Sequence, residues 1–384
     1  MINTRALSSQ DISELFKSIK YESRMKFYQA WGHYIKEREY LALDTTSISS
    51  YSELINGIAW GYNRDDENLP QINLSLLFGE TSGLPVYSTT FNGSIKDVKT
   101  LNSVLFQVSQ LLGEDKLRIV MDKGFCSTKN IKEMLSSNKD FIIAVPFTFK
   151  WAKKEKDKLA RNAHRMERAE HLVTLGRDVV YGITKNFKFD EDKELYLHIY
   201  YNPFLAMQDR GELHRKVKIL QQEAQKDFKN PALKNDFKRY LKLKGANITI
   251  KQKVLKKELE NSGWLVIISN CESNVESVIN IYRTKDVIEK AFNRIKNSLN
   301  FNRLRVHRED TMEGKILVGF LALIVISHIH KIMSSKNLYK DITIRELIRI
   351  MAELKILEID GKTCLNPCTK RQNDLFEIFD VPLP

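Results

Sequence analysis

Residues 11–39 place Ile12, Leu15, Phe16, Ile19, Met25, Phe27 and Trp31 among charges at helical spacing, which predicts an N-terminal helix. The pattern then changes period. EYLALD predicts a short strand closing at Asp44. The runs INLSLLF (72–78) and LPVYSTTF (84–91) predict two strands paired across the turn GETSG. A helix follows over about 96–112, stopped by Gly113. LRIVMD (117–122) is an apolar strand that ends on an aspartate. KGF turns the chain, and Ser127 or Thr128 caps a helix reaching about Asn138. FIIAV (141–145) is a buried strand closed by Pro146.

After Pro146 the texture shifts. Residues 150–171 are a dense, mostly basic cluster. DVVYGITKNFKF and ELYLHIYY, within 178–201, look extended, and 212–260 looks like a charged helical region interrupted at Asn230-Pro231 and Gly245. The block reads as an insertion rich in lysine and poor in large apolar clusters. GWLVIIS (263–269) returns to core texture. IYRTKDVIEKAFNRIK (281–296) predicts one helix, with Ile288, Ala291, Phe292 and Ile295 as its apolar face and Tyr282, Lys285, Glu289 and Lys296 in one stripe. ILVGFLALIVIS (316–327) is too short to span a bilayer and predicts a buried helix. His328 and His330 at its end suit packing or capping better than metal. A C-terminal helix completes the chain, and no internal repeat is visible.

Charge narrows the partner. Lysine and arginine number 61 against 48 acids, a net +13, which favours a polyanion, nucleic acid above all. Cys126, Cys271, Cys364 and Cys368 lack the spacing of a zinc site and read as free thiols in a reducing cytoplasm. The start MINTRALSSQDISELF has no apolar core segment of a signal peptide. Two acids, Asp44 and Asp122, close apolar strands, where side chains project from the rim of an open α/β sheet; each alone could also be a turn-starting aspartate. Glu289 sits among cations, either as part of a salt-bridged surface helix or as a metal ligand beside a nucleic-acid backbone. Three carboxylates in a basic surround suit two-metal phosphoryl transfer, with Mg²⁺ taking oxygen ligands and the cations neutralising phosphates.

The order strand-Asp44, strand-Asp122, insertion, helix-Glu289 resembles the DDE transposases of bacterial insertion sequences. More narrowly, it resembles the insertion-sequence family numbered four, whose Tyr-(2)-Arg-(3)-Glu-(6)-Lys signature stands here as Tyr282, Lys285, Glu289 and Lys296. YRTKDVIEKAFNRIKNSLNFNRLRVHRED, GFLAL, LALDTTSISSYS, LPQINLSLLF and MDKGFCS carry the likeness, from about residue 10 to about 355. The resemblance implies an α/β, RNase H-like mixed sheet with flanking helices and a large insertion before the helix bearing the third acid. It divides the chain into an N-terminal helical segment (1–39), a first core part (40–146), a basic insertion domain (147–262), a second core part with the Tyr-Lys-Glu-Lys helix (263–333) and a C-terminal helical tail (334–384).

The same resemblance implies site roles. Asp44, Asp122 and Glu289 match the catalytic, metal-binding triad for two Mg²⁺ ions, with Mn²⁺ able to substitute. Tyr282, Lys285 and Lys296 match contacts to the transposon-end backbone. Trp264 matches a base-stacking tryptophan, although by itself it reads equally as a core residue of a strand. Arg303 and His307 extend the basic surface. The expected partners are double-stranded DNA (terminal inverted repeats and target) and a second copy of the chain in the synapse, with no membrane. The expected reaction is cut-and-paste transposition: hydrolysis frees a 3′ hydroxyl, which attacks the opposite strand or target DNA. The signature's arginine is Lys285 here, which keeps the charge but loses the bidentate fork. Only about 40 residues precede Asp44, as in a short or N-terminally truncated member. Two rivals share parts of the pattern: an RNase H-like nuclease of another class, and a non-catalytic DNA-binding remnant.

Overall fold

Many strand-forming runs fall where the apolar pattern puts them, and two, Gln71–Gly79 and Asp140–Ala144, are buried along their whole length. In the computed structural model, residues 8–35, 40–65, 67–113, 117–161, 166–176, 178–190, 193–226, 234–244, 247–354, 356–359 and 362–382 are described. The strands are β1 (Leu41–Ser49), β2 (Gln71–Gly79), β3 (Pro85–Asn92), β4 (Arg118–Met121), β5 (Asp140–Ala144), β6 (Leu172–Leu175), β7 (Asp178–Asp190), β8 (Lys193–Tyr201), β9 (Leu241–Lys244), β10 (Asn247–Ile250) and β11 (Trp264–Ser269), with a small hairpin, β12 (Ile356–Ile359) and β13 (Lys362–Leu365), near the C-terminus. The chain divides into two units, the first made of Met1–Glu37, Thr46–Ser94 and Val287–Pro384, the second of Arg38–Thr45 and Ile95–Asp286.

In the second unit the strand order is β1-β4-β5-β11-β8-β7-β6. β1, β4 and β5 are parallel, and β5, β11, β8, β7 and β6 alternate in direction. This is a large mixed sheet with helices on it, the α/β class expected. The helix Asp97–Leu112 ends at Gly113 in the left-handed region (φ 64°), and Ser127 caps Thr128–Ser136 by accepting from the Asn130 amide, both as read from sequence. On one face of the sheet, Tyr40, Val120, Ile142, Ile267, Tyr200 and Val180 pack beneath Val278 and Ile279 of the helix Val275–Arg283.

The texture of 147–262 misleads in two ways. Its extended stretches, β6–β8, are strands of this same sheet rather than a separate layer. Its charged helical part, Pro203–Lys226 with Lys234–Tyr240 and Gln252–Leu259, closes a core of its own around Val217, Leu220, Ala224, Tyr240, Leu241, Ile248 and Leu255. Those apolar residues are spaced widely enough among lysines to look polar in a linear reading. The breaks expected at Asn230-Pro231 and Gly245 lie outside the described residues.

In the first unit β2 and β3 form the predicted hairpin, paired from Ile72↔Asn92 to Leu77↔Tyr87 and closed by a Gly79 N to Leu84 O bond. The N-terminal helix expected over 11–39 is two helices, Ser9–Ser18 and Tyr21–Ile35, because Ile19 turns extended (ψ 98°) and bonds back to Phe16. Residues 36–39 lie outside the described ones. The apolar run of 316–327 belongs to a longer helix, Glu309–Ser335. By length and composition it could cross a membrane, yet its Phe320 ring packs edge-on against Phe27 and Tyr28 of the same unit. Close approach explains two glycines: a Cβ on Gly314 would lie 2.0 Å from the Phe16 carbonyl oxygen, and one on Gly319 2.5 Å from the Phe301 ring. The tail is less helical than expected: Ile344–Ala352 and Lys370–Ile378 flank the β12–β13 hairpin, and Met333, Ile342, Leu347 and Leu375 share one cluster. Cys126, Cys271 and Cys368 are free thiols, while the Cys364 side chain lies outside the described residues.

Candidate active site

Strand register brings two acids side by side. β1 and β4 pair as Leu41↔Ile119, Ala42↔Val120 and Leu43↔Met121. Asp44 and Asp122 are the next residue on each chain, and Asp122 is still extended (φ −79°, ψ 167°) before the turn Lys123–Phe125. Neighbouring strands lie about 4.8 Å apart and side chains alternate faces. Asp44 therefore shares a face with Tyr40 and Ala42, and Asp122 with Val120: the face on which the helix Val275–Arg283 packs. Asp44 is the one residue of β1 that is not fully buried. Two carboxylates this close repel unless a cation or hydrogen-bond donors compensate them.

The helix and the turn after it supply both kinds of compensation. Tyr282 donates its hydroxyl to Asp122 Oδ1 (3.0 Å), and Lys285 Nζ lies 3.8 Å from Asp122 Oδ2. The Lys285 ammonium also sits over the Tyr282 ring, 5.8 Å from its centroid. Asp44 Oδ1 accepts from the Thr45 amide (2.8 Å).

Two expectations need correction. β1 does not close at Asp44 but runs on to Ser49. TTSIS looks like a polar turn, but its hydroxyls find partners inside: Ser47 Oγ accepts from the Arg64 amide and Ser49 Oγ from Asn63 Nδ2. Nor is 281–296 one helix. Val275–Arg283 ends, Asp286–Asn293 begins, and Arg294–Ser298 is a π-helical turn. Thr284 Oγ1 bonds back to the Ile281 carbonyl at the break, a local side-chain bond that competes with the helix ladder. A single stripe at 100° per residue therefore does not exist. The break places Lys285, only 7% exposed, beside Asp122.

The rest of the predicted set is divided between the units. Glu289 belongs to the first, on the exposed side of Asp286–Asn293, opposite the buried Ile288, Ala291 and Phe292. Also in the first unit, Lys296 Nζ holds both Asp65 oxygens (2.8 and 2.6 Å) and Arg303 holds Glu67 (3.0 Å). The Glu67 carboxyl is held below its ordinary pKa by the Ser49 hydroxyl first and by Arg303 after it. The run Asp-Asp-Glu at 65–67 was the available signal for these partners, and sequence reasoning passed over it. Arg303, Arg305 and His307 alternate with buried Leu304 and Val306.

Trp264, in the second unit, opens β11. Because β11 runs antiparallel to β5 (Ile267↔Ala144), its start lies at the same sheet edge as Asp122. Three residues beyond Ile267, it sits about 10 Å past that level. Its ring meets Tyr201 at 4.7 Å, beside a cleft of about 430 Å³ that Arg161 and Arg210 also line.

Among the described residues no three His, Cys, Asp or Glu side chains form a ready metal-ligand group. The donor chemistry of Asp44 and Asp122 nevertheless fits a hard divalent cation. Mg²⁺ is ordinarily held by one or two carboxylates together with water and substrate phosphates.

A family model described as "Transposase DDE domain" matches residues 36–325. No curated protein matches the chain. Among solved structures, the chain is similar to a piggyBac transposase synaptic complex with hairpin DNA, at 12% identity and a TM-score of 0.42, over 97% of this chain and 64% of that one. The chain thus spans just under two thirds of that protein's length.

Proposed function

Because the chain belongs to the transposase DDE domain family, we propose that it is a DNA transposase performing metal-dependent cut-and-paste transposition of an insertion sequence. The observation that carries this is the register-matched pair Asp44 and Asp122 on adjacent parallel strands, braced by Tyr282 and Lys285. Asp44 and Asp122, with Glu289 as third acid, are the residues that would hold two Mg²⁺ ions, or Mn²⁺ in their place. Bound there, the ions supply an activated attacking oxygen and charge stabilisation on the leaving oxygen. The chain's own groups hold and orient. Tyr282 directs its hydroxyl to Asp122, so it serves as a positioning residue and not as a nucleophile. The reaction then needs no covalent protein–DNA intermediate: water attacks the phosphodiester at the transposon end, and the freed 3′ hydroxyl displaces a second phosphodiester oxygen.

Lys296, Arg303 and His307 of the first unit, with Tyr282, Lys285 and Trp264 of the second, are the proposed DNA contacts. Signature membership in the insertion-sequence family numbered four, a homodimer in the synapse and action on the bacterial nucleoid in the cytoplasm belong to the same reading.

The test uses the full chain with a precleaved transposon end, target plasmid and Mg²⁺. Wild type should join the end to the plasmid. Glu289→Gln should lose cleavage and joining while binding duplex DNA within about twofold of wild type. Cleavage without joining would point instead to an RNase H-like nuclease of another class. Activity surviving Glu289→Gln would remove Glu289 from the site.

A further inference from the structure

Strand register holds Asp122 from upstream, but the residue stands at the last extended position before the chain turns. Its direction therefore depends as much on what fixes the turn Lys123–Phe125 behind it. That turn is short: the Phe125 amide donates to the Asp122 carbonyl (3.1 Å) and the Cys126 amide to the Lys123 carbonyl (3.2 Å). Lys123 and Gly124 are exposed. Two bonds of 3₁₀ geometry are a weak lock by themselves. The Asp122 carboxylate adds nothing to it. Aspartate favours capping at such a position, yet here the side chain makes no cap bond and is directed to Tyr282 and Lys285.

Asn130, in the helix Thr128–Ser136, supplies the missing lock. Its side chain is buried, and Nδ2 donates both to the Phe125 carbonyl (2.8 Å) and to the Val98 carbonyl (2.9 Å). Both amide hydrogens are thus used, one on the end of the turn and one on the first turn of the helix Asp97–Leu112. The Asn130 amide in turn donates to Ser127 Oγ (3.0 Å), so the residue stands in the capped start of its own helix. Two further contacts close the same joint. The Phe125 ring is fully buried, and a Cβ on Gly124 would stand 3.1 Å from Asp97 Oδ2. The turn after Asp122 is thereby joined to two helices.

Burying a side-chain amide costs free energy that only its hydrogen bonds return. An apolar residue would fill the same space without that cost. What asparagine adds is direction, because its two bonds reach backbone carbonyls of two other elements and one of them closes the turn that begins at Asp122.

We infer that Asn130 is a positioning residue for Asp122: by holding the Phe125 carbonyl it fixes the turn, and with it the direction of the Asp122 carboxylate toward Tyr282, Lys285 and a divalent cation. The metal part rests on the reading of Asp122 as a metal ligand, whereas the ion pair with Lys285 is independent of it, so the two are tested apart.

The first measurement needs no metal. The coupling of Lys285→Met with Asp122→Asn, read by scanning calorimetry as the double variant's departure from additivity, is taken in wild-type and Asn130→Ala backgrounds. Asn130→Ala should cut it to less than about half. The second is Mn²⁺ binding to the full chain by electron paramagnetic resonance, with Asp122→Asn as the blank. Asn130→Ala should raise the Mn²⁺ Kd about tenfold, the low end for loss of a group that supports a metal ligand. Val217→Ala, in the separate core of the charged helical part, destabilises the same unit away from the turn and should change neither reading. Unchanged coupling in Asn130→Ala overturns the inference. Reduced coupling with an unchanged Mn²⁺ Kd overturns its metal part and leaves Asn130 serving the ion pair. Wild type binding no more Mn²⁺ than Asp122→Asn overturns the metal reading of Asp122, and the coupling then decides alone. If Asn130→Ala does not fold, Asn130→Ser, which keeps one donor, is judged by the same criteria.

Discussion

Lys285→Met removes the ammonium that lies beside Asp122, just past the end of the tyrosine-bearing helix, while keeping an unbranched apolar stem. The ammonium lies 3.8 Å from Asp122 Oδ2, with the lysine side chain 9% exposed and the aspartate 35%. At that separation the Coulomb attraction is ~1 kcal/mol in a water-like dielectric and ~4 kcal/mol at the effective value used near protein surfaces. The aspartate's exposure screens the pair toward the low end, and the loss takes a cation from beside two neighbouring carboxylates, so a cost of about 1–2 kcal/mol follows. In a unit of this size that lowers the midpoint of thermal unfolding by roughly 3–6 °C. The assay is scanning calorimetry of wild type, Lys285→Met, Asp122→Asn and the double variant, with and without millimolar Mg²⁺. The double-mutant cycle should return a coupling of about 1–2 kcal/mol. Lys285→Arg should keep most of the stability, and Mg²⁺ should narrow the gap for Lys285→Met, since either supplies a cation to the same carboxylates. A coupling near zero, or a loss that neither arginine nor Mg²⁺ reverses, would refute the claim that Lys285 compensates the pair.

Tyr282→Phe deletes the hydroxyl that donates to Asp122; a hydrogen bond to a charged group is worth about 1.5–3 kcal/mol, so single-turnover end cleavage should fall about tenfold or more with the fold intact by circular dichroism. His198 is fully buried, with Nδ1 against Thr184 Oγ1 (2.8 Å), and burial pushes its pKa down to about 4. The unfolded chain protonates this imidazole near 6.5, so it binds more protons than the folded chain between those values; stability is full above about pH 6.5 and falls by up to about 3 kcal/mol as pH drops to about 4. Urea titrations at stepped pH should show that slope in wild type and a shallower one in His198→Gln. Gly314→Ala should destabilise the first unit by about 1–3 kcal/mol despite alanine's better helix propensity, because its Cβ meets a backbone carbonyl at 2.0 Å. Faster amide exchange across Ser9–Ser18 would report it, and unchanged exchange there would count against the packing argument.

What was legible in the sequence depended on how local its cause was. β4 was readable because RIVM is apolar, β-rich and stopped at once by Asp-Lys-Gly-Phe. The apolar face of Asp286–Asn293 was readable because Ile288, Ala291 and Phe292 repeat at helical spacing. β1 was cut short because Thr45 to Ser49 are mostly hydroxylated, and the groups that let them be buried, Asn63 and the Arg64 amide, lie more than a dozen residues away. The break at Thr284–Lys285 was invisible because the apolar period continues across it, while its cause is one hydroxyl bonding backward. The strands β6–β8 looked like an insertion because charge density was weighed above pairing, and pairing partners cannot be read from composition. For the candidate site, the resemblance named Asp44, Asp122, Tyr282 and Lys285; the register sets the two acids side by side, and Tyr282 and Lys285 reach Asp122. It did not anticipate that Lys285 would be buried against an acid.

The local chemistry assigns different tasks to the net charge and to the individual cations. Lys285 stands beside Asp122, Lys296 holds Asp65 and Arg303 holds Glu67. Three of the residues proposed to meet DNA thus already have a carboxylate partner, and a phosphate that engages one of them must displace or share that acid. The net gain of each such contact is a difference between two ion pairs, small and sensitive to geometry. Affinity then comes chiefly from the chain's overall excess of 13 positive charges, which acts at long range and weakens with salt. The pre-paired cations contribute position, because only a backbone lying along the right path exchanges its phosphates for those acids at no loss. On this account an acid such as Asp65 or Glu67 is part of the recognition surface: it holds each basic side chain in place until a correctly placed strand takes over.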